Sequence, residues 1–327
     1  MSGAYKLKLT MIESEDGNQT EPVTLFDSFQ INRTVQIRLH GGLGNQMFQY
    51  AAALGLAVRQ SREVMLDVSA FKQYEARPYQ LDRLKVPQDL STGSPSLGSA
   101  YANSFVARLI RKIRRDYILR KDSYREPAFH FDPAIFDLSS DKVLLEGYFQ
   151  SPYYFIGAEE LLRERFQLKA SMTALGAKWA EKISSSACSI SIHLRRGDYL
   201  TQTASAVHAT LTQDYYDRAV SLMLDLIGSE VDFFLFSDEP DVISKVFAHL
   251  PRAYVVQSDP AAPWEDMFLM ARCHHNIIAN SSYSWWGAWL NQAKGKRVIA
   301  PAGWFTSQRL ATCNVMDLYP DDWILLK

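Results

Sequence analysis

Two adjacent arginines stand where this chain changes character abruptly. The run 188–192 (C-S-I-S-I) alternates polar and β-branched residues, and His193-Leu194-Arg195-Arg196-Gly197-Asp198 follows directly. Alternation of this kind predicts a strand, and the glycine and charges predict the loop that ends it. A guanidinium presents a planar fork of donors that fits phosphate oxygens in pairs. An imidazole, two guanidiniums and a carboxylate at the carboxyl end of a strand therefore make a candidate anion site. A surface turn with solvated charges is the alternative. Comparable residues recur at two later strand ends: Ser237, Asp238 and Glu239 after 232–236, and Asn280, Ser281, Ser282 and Tyr283 after 276–279. The last group also opens a helix, where backbone N–H groups favour an anion. Arginine, hydroxyls and a helix start suit a diphosphate. Carboxylates beside them suit the N–H donors of a purine or the hydroxyls of a sugar. The combination is the profile of a nucleotide-sugar site.

The elements that position these residues follow from periodicity. In the second half, strands at 187–194, 232–236, 253–256, 276–279 and 297–300 alternate with helices at 213–227, 241–250, 264–273 and 284–293. Such alternation means a parallel sheet with right-handed crossovers, which gathers the strand ends on one rim. In the first half, a strand at 34–40 runs into Gly41, Gly42, Leu43, Gly44, Asn45 and Gln46. A helix follows, with Met47, Ala51, Leu54 and Val58 on one face. Glycines at a helix start let a backbone approach a ligand closely. The spacing is not the G-x-G-x-x-G dinucleotide fingerprint, and a tight turn with no ligand is the alternative. Further strands are expected at 64–68 and 143–150, and helices at 153–166 and 167–186.

Composition limits the partners. The 327 residues are 47% hydrophobic and 22% charged with net charge −1, which fits a globular protein and gives no global signal for nucleic acid. Cys188, Cys273 and Cys313 are few and far apart, as expected of reduced thiols. The first thirty residues carry Glu13, Glu15, Asp16 and Glu21 and no apolar signal-peptide core, and no run reaches the length of a spanning helix. A cytoplasmic location is expected. Residues 105–121 read as a basic amphipathic helix, with Phe105, Leu109, Ile113 and Tyr117 opposite Arg108, Arg111, Lys112, Arg114 and Arg115. It is compatible with peripheral contact at the inner face of a membrane, or with a solvated outer face packed on the core.

Three other readings are weaker. Arg196-Gly197-Asp198 as an adhesion tripeptide conflicts with its place beside a buried strand. Cys273, His274 and His275 on a helix would point about 100° apart and could not chelate together. Trp285, Trp286 and Trp289 could stack on a sugar, but core packing is the better reading. No Asp-x-Asp triplet occurs, so the usual Mn²⁺ ligand pair of one large class of sugar transferases is missing. No metal or cofactor is expected, and the diphosphate charge would be met by arginine and backbone dipoles.

His193-Leu194-Arg195-Arg196-Gly197-Asp198-Tyr199 resembles the H-x-R-R-G-D motif of glycosyltransferase family 11, the α-1,2-fucosyltransferases. Gly42-Leu43-Gly44-Asn45-Gln46, Phe236-Ser237-Asp238-Glu239, the 280–286 stretch N-S-S-Y-S-W-W and the 301–305 stretch P-A-G-W-F resemble its other motifs, in family order. The resemblance implies a GT-B type α/β fold, two Rossmann-like domains facing a cleft. An acceptor-side domain is expected near 34–183 and a GDP-fucose domain near 184–305; residues 1–33, outside the resemblance, read as a polar extension, and 306–327 as a C-terminal segment. The implied reaction is metal-independent, inverting transfer of L-fucose from GDP-fucose to the 2-hydroxyl of a galactoside, carried on an oligosaccharide or a lipid-linked glycan. Transfer of another sugar from GDP, or a catalytically inactive carbohydrate- or nucleotide-binding module, are the alternatives.

By the same resemblance to the family and its α-1,6 relatives, Arg195 holds the β-phosphate and His193 sits against the guanosine. Asp266 binds guanine and Ser282 contacts the diphosphate. Asp238, Glu239, Asn280 and Ser281 complete the donor side. Gly42, Gly44, Asn45 and Gln46 face the acceptor. The catalytic base is the point of departure: the α-1,6 relatives carry a glutamate five residues after the motif aspartate, and Thr203 stands there in this chain. Asp198 and His208 are the remaining candidates.

Overall fold

The structure is a computed structural model that describes residues 33–72, 77–90, 122–195, 211–310 and 313–327. The expected extension up to residue 32, the basic helix at 105–121, and Arg196, Asp198 and His208 lie outside the described residues.

The first sheet is built from β1 (Thr34–Arg38), β2 (Glu63–Asp67), β3 (Ser123–Arg125) and β4 (Lys142–Glu146) in the order β2-β1-β4-β3, with every pairing parallel. The crossover from β1 to β2 is α1 (Leu43–Gln60). Its Met, Gln, Ala and Leu residues are strong helix formers. It begins after Gly42 and ends on Ser61 in the left-handed conformation, φ 51°. Inside it, Gly55 is required by close approach: a Cβ there would collide with the carbonyl oxygen of Tyr154.

The second sheet has the order β10-β9-β8-β5-β6-β7, again all parallel. Its strands are β5 (Ser189–Leu194), β6 (Asp232–Ser237), β7 (Ala253–Val255), β8 (His275–Ile277), β9 (Val298–Pro301) and β10 (Ile324–Leu326). The central strand β5 is buried along its whole length, as a strand covered on both faces must be. The crossovers are α4 (Gln213–Ile227), α5 (Pro240–Val246), α6 (Glu265–Arg272) and α7 (Ser282–Leu290). Two helices lie between the sheets in sequence, α2 (Glu159–Arg165) and α3 (Ala174–Ser184), and a short α8 (Ser307–Leu310) precedes β10.

Periodicity misplaces several boundaries. The helix expected at 153–166 is a single 3₁₀ turn, Pro152–Phe155, followed by α2. Gly157, at φ 87°, separates the two. The helix expected at 167–186 starts only at Ala174, because the Thr173 hydroxyl caps it by accepting from the Gly176 N–H at 3.1 Å. The strand expected at 143–150 stops at Glu146, and Phe149 then turns with φ 53°. The three-residue strands β3 and β10 are not expected from the sequence.

The halves share one core. Trp285 and Trp286 on α7 are fully buried, with the Phe48 ring of α1 4.5 Å and 4.8 Å from theirs. The Phe155 and Phe166 rings close on Trp286 at 5.7 Å and 5.1 Å. The indole N–H of Trp286 donates to the Gly44 carbonyl at 2.9 Å and that of Trp285 to the Leu318 carbonyl at 3.0 Å. These tryptophans are packing residues whose polar edges lock the start of α1 and the C-terminal segment in place. Among the described residues no helix is long and apolar enough to cross a membrane.

Candidate active site

Parallel pairing fixes where β5 delivers its chemistry. His193 lies opposite Phe236 and Leu194 opposite Ser237. The next step beyond the ladder sets Arg195 beside Asp238, and their side chains meet at 3.6 Å. Both line a cleft of about 660 Å³ at the carboxyl ends of the second sheet, within the size range of small-molecule sites. Asp266, Tyr283 and Gly42 line the same cleft, with Phe236, Val256, Pro263 and Trp264 as its apolar wall.

His193 is 4% exposed, and among the described residues its Nδ1 has no hydrogen-bond partner. Burial, with a smaller contribution from the Arg195 charge, pushes its pKa down to about 3. The imidazole is therefore neutral at any working pH, a donor or acceptor and not a cation. Its backbone carbonyl is held by the Tyr216 hydroxyl at 3.1 Å.

Asp266 is the opposite case. Burial raises its pKa to about 7, with a further push from the neighbouring Glu265 carboxylate. The Ser258 hydroxyl donates to its Oδ1. Its position is set by two braces. Glu265, 2% exposed, accepts from the Thr173 N–H at 2.6 Å and the Thr173 hydroxyl at 2.8 Å, which ties the start of α6 to the start of α3. The Tyr283 hydroxyl donates to the Pro263 carbonyl at 2.6 Å and accepts from the Met267 N–H at 2.9 Å, which ties α6 to α7. A buried carboxyl group in a cleft wall with its pKa pushed up to about 7 marks Asp266 as a candidate functional group.

The starts of α1 and α7 meet beside the cleft, which Gly42, Leu43 and Tyr283 line while Asn45, Ser281 and Ser282 do not. Ser281 caps α7, its hydroxyl accepting from the Tyr283 N–H at 3.3 Å. The Asn45 side-chain oxygen Oδ1 accepts from the Ser282 hydroxyl and from the Gln150 side-chain amide, each at 2.8 Å. Gly44 presses on the same turn: a Cβ there would stand 2.6 Å from the Ser282 carbonyl carbon and 2.7 Å from the Tyr283 nitrogen. Two positively polarised helix N-termini, of α1 and α7, are thus held against one another without an acidic residue in either first turn.

The expected residues divide by position. His193, Arg195, Asp238, Asp266 and Gly42 line the cleft. Asn280 is buried and donates to the Trp304 carbonyl at 3.0 Å, and Glu239 is the N-cap position of α5. Gln46 is fully buried, donating to the Gly41 and Pro78 carbonyls and accepting from the Gln80 N–H. Cys273, His274 and His275 do not share a helix as expected: Cys273 ends α6 and His275 begins β8. The His274 ring nitrogen faces Ser189 and that of His275 accepts from the Arg297 N–H, so no common centre forms.

Sequence reasoning missed Arg77, Ser258 and Trp264 in the cleft wall. Trp264 and Ser258 sit just before the start of α6, a turn carrying no pattern. Arg77 directly precedes Pro78, outside the strand-end rule that found His193, Arg195 and Asp238. Across the rim of the first sheet, His40 packs edge-on to Tyr148 at 4.6 Å, and Glu126 accepts from the Tyr148 and Phe149 N–H groups at 2.7 Å and 3.0 Å.

The sequence profile of Glycosyl transferase family 11 matches residues 103–327. Over 308 residues the chain is 33% identical to the O-antigen biosynthesis glycosyltransferase WbnK of Escherichia coli, covering 88% of this chain and 99% of that protein. It is 30% identical to an alpha-1,2-colitosyltransferase of Escherichia coli, covering 90% and 99%. Among solved structures it resembles the NodZ α-1,6-fucosyltransferase of Bradyrhizobium in crystals soaked with GDP-fucose, at TM-score 0.50 and 18% identity over 79% of this chain and 92% of that one. It also resembles a point mutant of Arabidopsis thaliana FUT1 in complex with GDP, at TM-score 0.51 and 12% identity over 88% and 74%. The fold is accordingly GT-B, α/β with parallel sheets. A profile match over more than half the chain, and relatives aligned along almost their full length, make this chain a member of glycosyl transferase family 11.

Proposed function

We propose that the protein transfers L-fucose from GDP-fucose to the 2-hydroxyl of a terminal galactoside, with inversion and without a metal ion. The observation that carries the reading is the cleft that joins Arg195 at one strand end to Asp266 in an apolar wall. Asp266, ionised, accepts the two adjacent N–H donors of guanine; adenine has no such pair. Arg195 and the N-terminus of α7 meet the diphosphate. In the reaction the bond from the sugar C1 to the β-phosphate oxygen breaks, and its electron pair leaves with GDP. The acceptor oxygen bonds C1 from the opposite face and gives up its proton to the catalytic base. Arg195 stabilises the charge that develops on the leaving phosphate, the kind of contact worth about 10²–10³ in rate elsewhere. The candidate bases Asp198 and His208 remain part of the proposal.

The rim carrying His40 and Tyr148 is the proposed acceptor wall, since it continues into Gly42 of the cleft. The relative named for O-antigen biosynthesis supports a bacterial glycan, free or lipid-linked, as acceptor. A second donor is favoured by one observation, the relative named an α-1,2-colitosyltransferase. Colitose is fucose without its 3-hydroxyl, so one GDP site would admit either. Competition between GDP-fucose and GDP-colitose on a common β-galactoside, read by mass spectrometry of the products, separates the two.

A further inference from the structure

Arg77 stands on the first-sheet side of the cleft, and the glycine-rich turn before α1 is shaped around it. A Cβ on Gly42 would come within 3.0 Å of the Arg77 Nη1 and 3.7 Å of its Cδ. The side chain therefore lies flat on the N-cap residue of α1. The chain just after Arg77 is pinned from below. The Gln46 amide nitrogen donates to the Pro78 carbonyl at 3.0 Å, and its oxygen accepts from the Gln80 N–H at 2.9 Å. Gln46 has no exposure, so breaking these bonds would leave its buried amide unpaired, which is costly.

The electrostatics of this placement favour an anion. A cation is disfavoured at a helix N-terminus, which already carries about half a positive charge. Arg77 lies against the start of α1. Two residues on, Gly44 touches the Ser282–Tyr283 peptide at the start of α7, so a second N-terminus adds its field. Arg195, paired with Asp238 at 3.6 Å, lines the same cleft, so a diphosphate lying in it would meet one guanidinium from each wall.

We propose that Arg77 is a donor-binding residue, holding the diphosphate from the first-sheet wall while Arg195 holds it from the second. Gly42 and Gln46 are then positioning residues for Arg77. This rests on the nucleotide-sugar reading of the cleft. It adds that the diphosphate site is completed by both halves of the chain, so that donor binding bridges the cleft.

Titration calorimetry of the full chain with GDP, GMP and guanosine tests it, using wild type, Arg77→Ala, Arg77→Lys and Gly42→Ala. Gly42 has φ −73°, so its backbone accepts alanine and the added methyl displaces only the guanidinium. Expected is a loss in GDP affinity of roughly ten- to a hundredfold in Arg77→Ala. The loss should shrink for GMP and vanish for guanosine. Arg77→Lys should recover part of it, and Gly42→Ala should show the same phosphate-dependent loss at an unchanged Tm. Equal GDP affinity in wild type and Arg77→Ala, or an equal loss for GDP and guanosine, overturns the assignment of Arg77. A wild type that binds no GDP overturns the nucleotide-sugar reading, and the Arg77 assignment with it.

Discussion

Donor binding should weaken on acidification, and Asp266 sets the amount. Its carboxyl must be ionised to accept two N–H groups from guanine, and in the free protein burial holds its pKa near 7. The apparent Kd then scales as one plus the ratio of protonated to ionised carboxyl. Between pH 8 and pH 6 that factor rises about tenfold, and each further unit down adds another tenfold, about 1.4 kcal/mol. GDP-fucose is the right probe, because its diphosphate is a diester and does not titrate in this range. His193 does not interfere, with its pKa near 3. The sign for folding is opposite. A carboxyl whose folded pKa lies above its unfolded value binds extra protons in the native state, so the ligand-free protein loses stability as pH rises from about 4 to 7. Asp266→Asn should therefore raise the Tm of the ligand-free protein at pH 8, weaken GDP-fucose binding there, and flatten the pH profile. A wild-type Kd that is constant from pH 8 to pH 6 would refute the role of Asp266 in reading the base.

Three further outcomes are expected. Arg195→Ala should lower kcat by about 10²–10³ with circular dichroism unchanged, and full transfer by the folded variant removes Arg195 from the site. Gly44→Ala should destabilise by about 1–3 kcal/mol, read as a lower Tm, because its methyl meets the Ser282 backbone at 2.6 Å and backbone cannot swing aside. A Tm equal to wild type would contradict that contact. Excess EDTA should leave the initial rate of transfer unchanged, and a rate restored only by added Mn²⁺ or Mg²⁺ would overturn the metal-independent proposal.

What the sequence makes legible here is what periodicity and strand ends encode. The second sheet reads well because its strands are apolar runs followed by polar residues, so His193, Arg195 and Asp238 fall on one cleft, whereas Asp266, in the first turn of α6, is indicated only by the family resemblance. Two strands escape, Ser123–Arg125 and Ile324–Leu326, which lie outside the regular strand–helix alternation that reveals the equally short β7 and β8. Contacts between distant segments escape too. Nothing local marks Gln46 as a brace for Pro78 and Gln80, 32 and 34 residues away, or Arg77 as the residue it positions. Glu265 shows the same limit: an acidic residue in a helix first turn reads as a solvated charge, yet it is buried and bonded to Thr173, 92 residues earlier. Asp266, its neighbour, is placed by that bond.

The central claim is turnover. Incubation of the full chain with GDP-fucose and a panel of β-galactosides, followed by mass spectrometry and linkage analysis, tests it directly. The account predicts a fucosylated product joined through the galactose 2-hydroxyl, with one free GDP for each product formed. GDP-fucose bound without product on any acceptor would contradict it in favour of a binding module, and product from a different GDP-sugar alone would contradict the assignment of fucose.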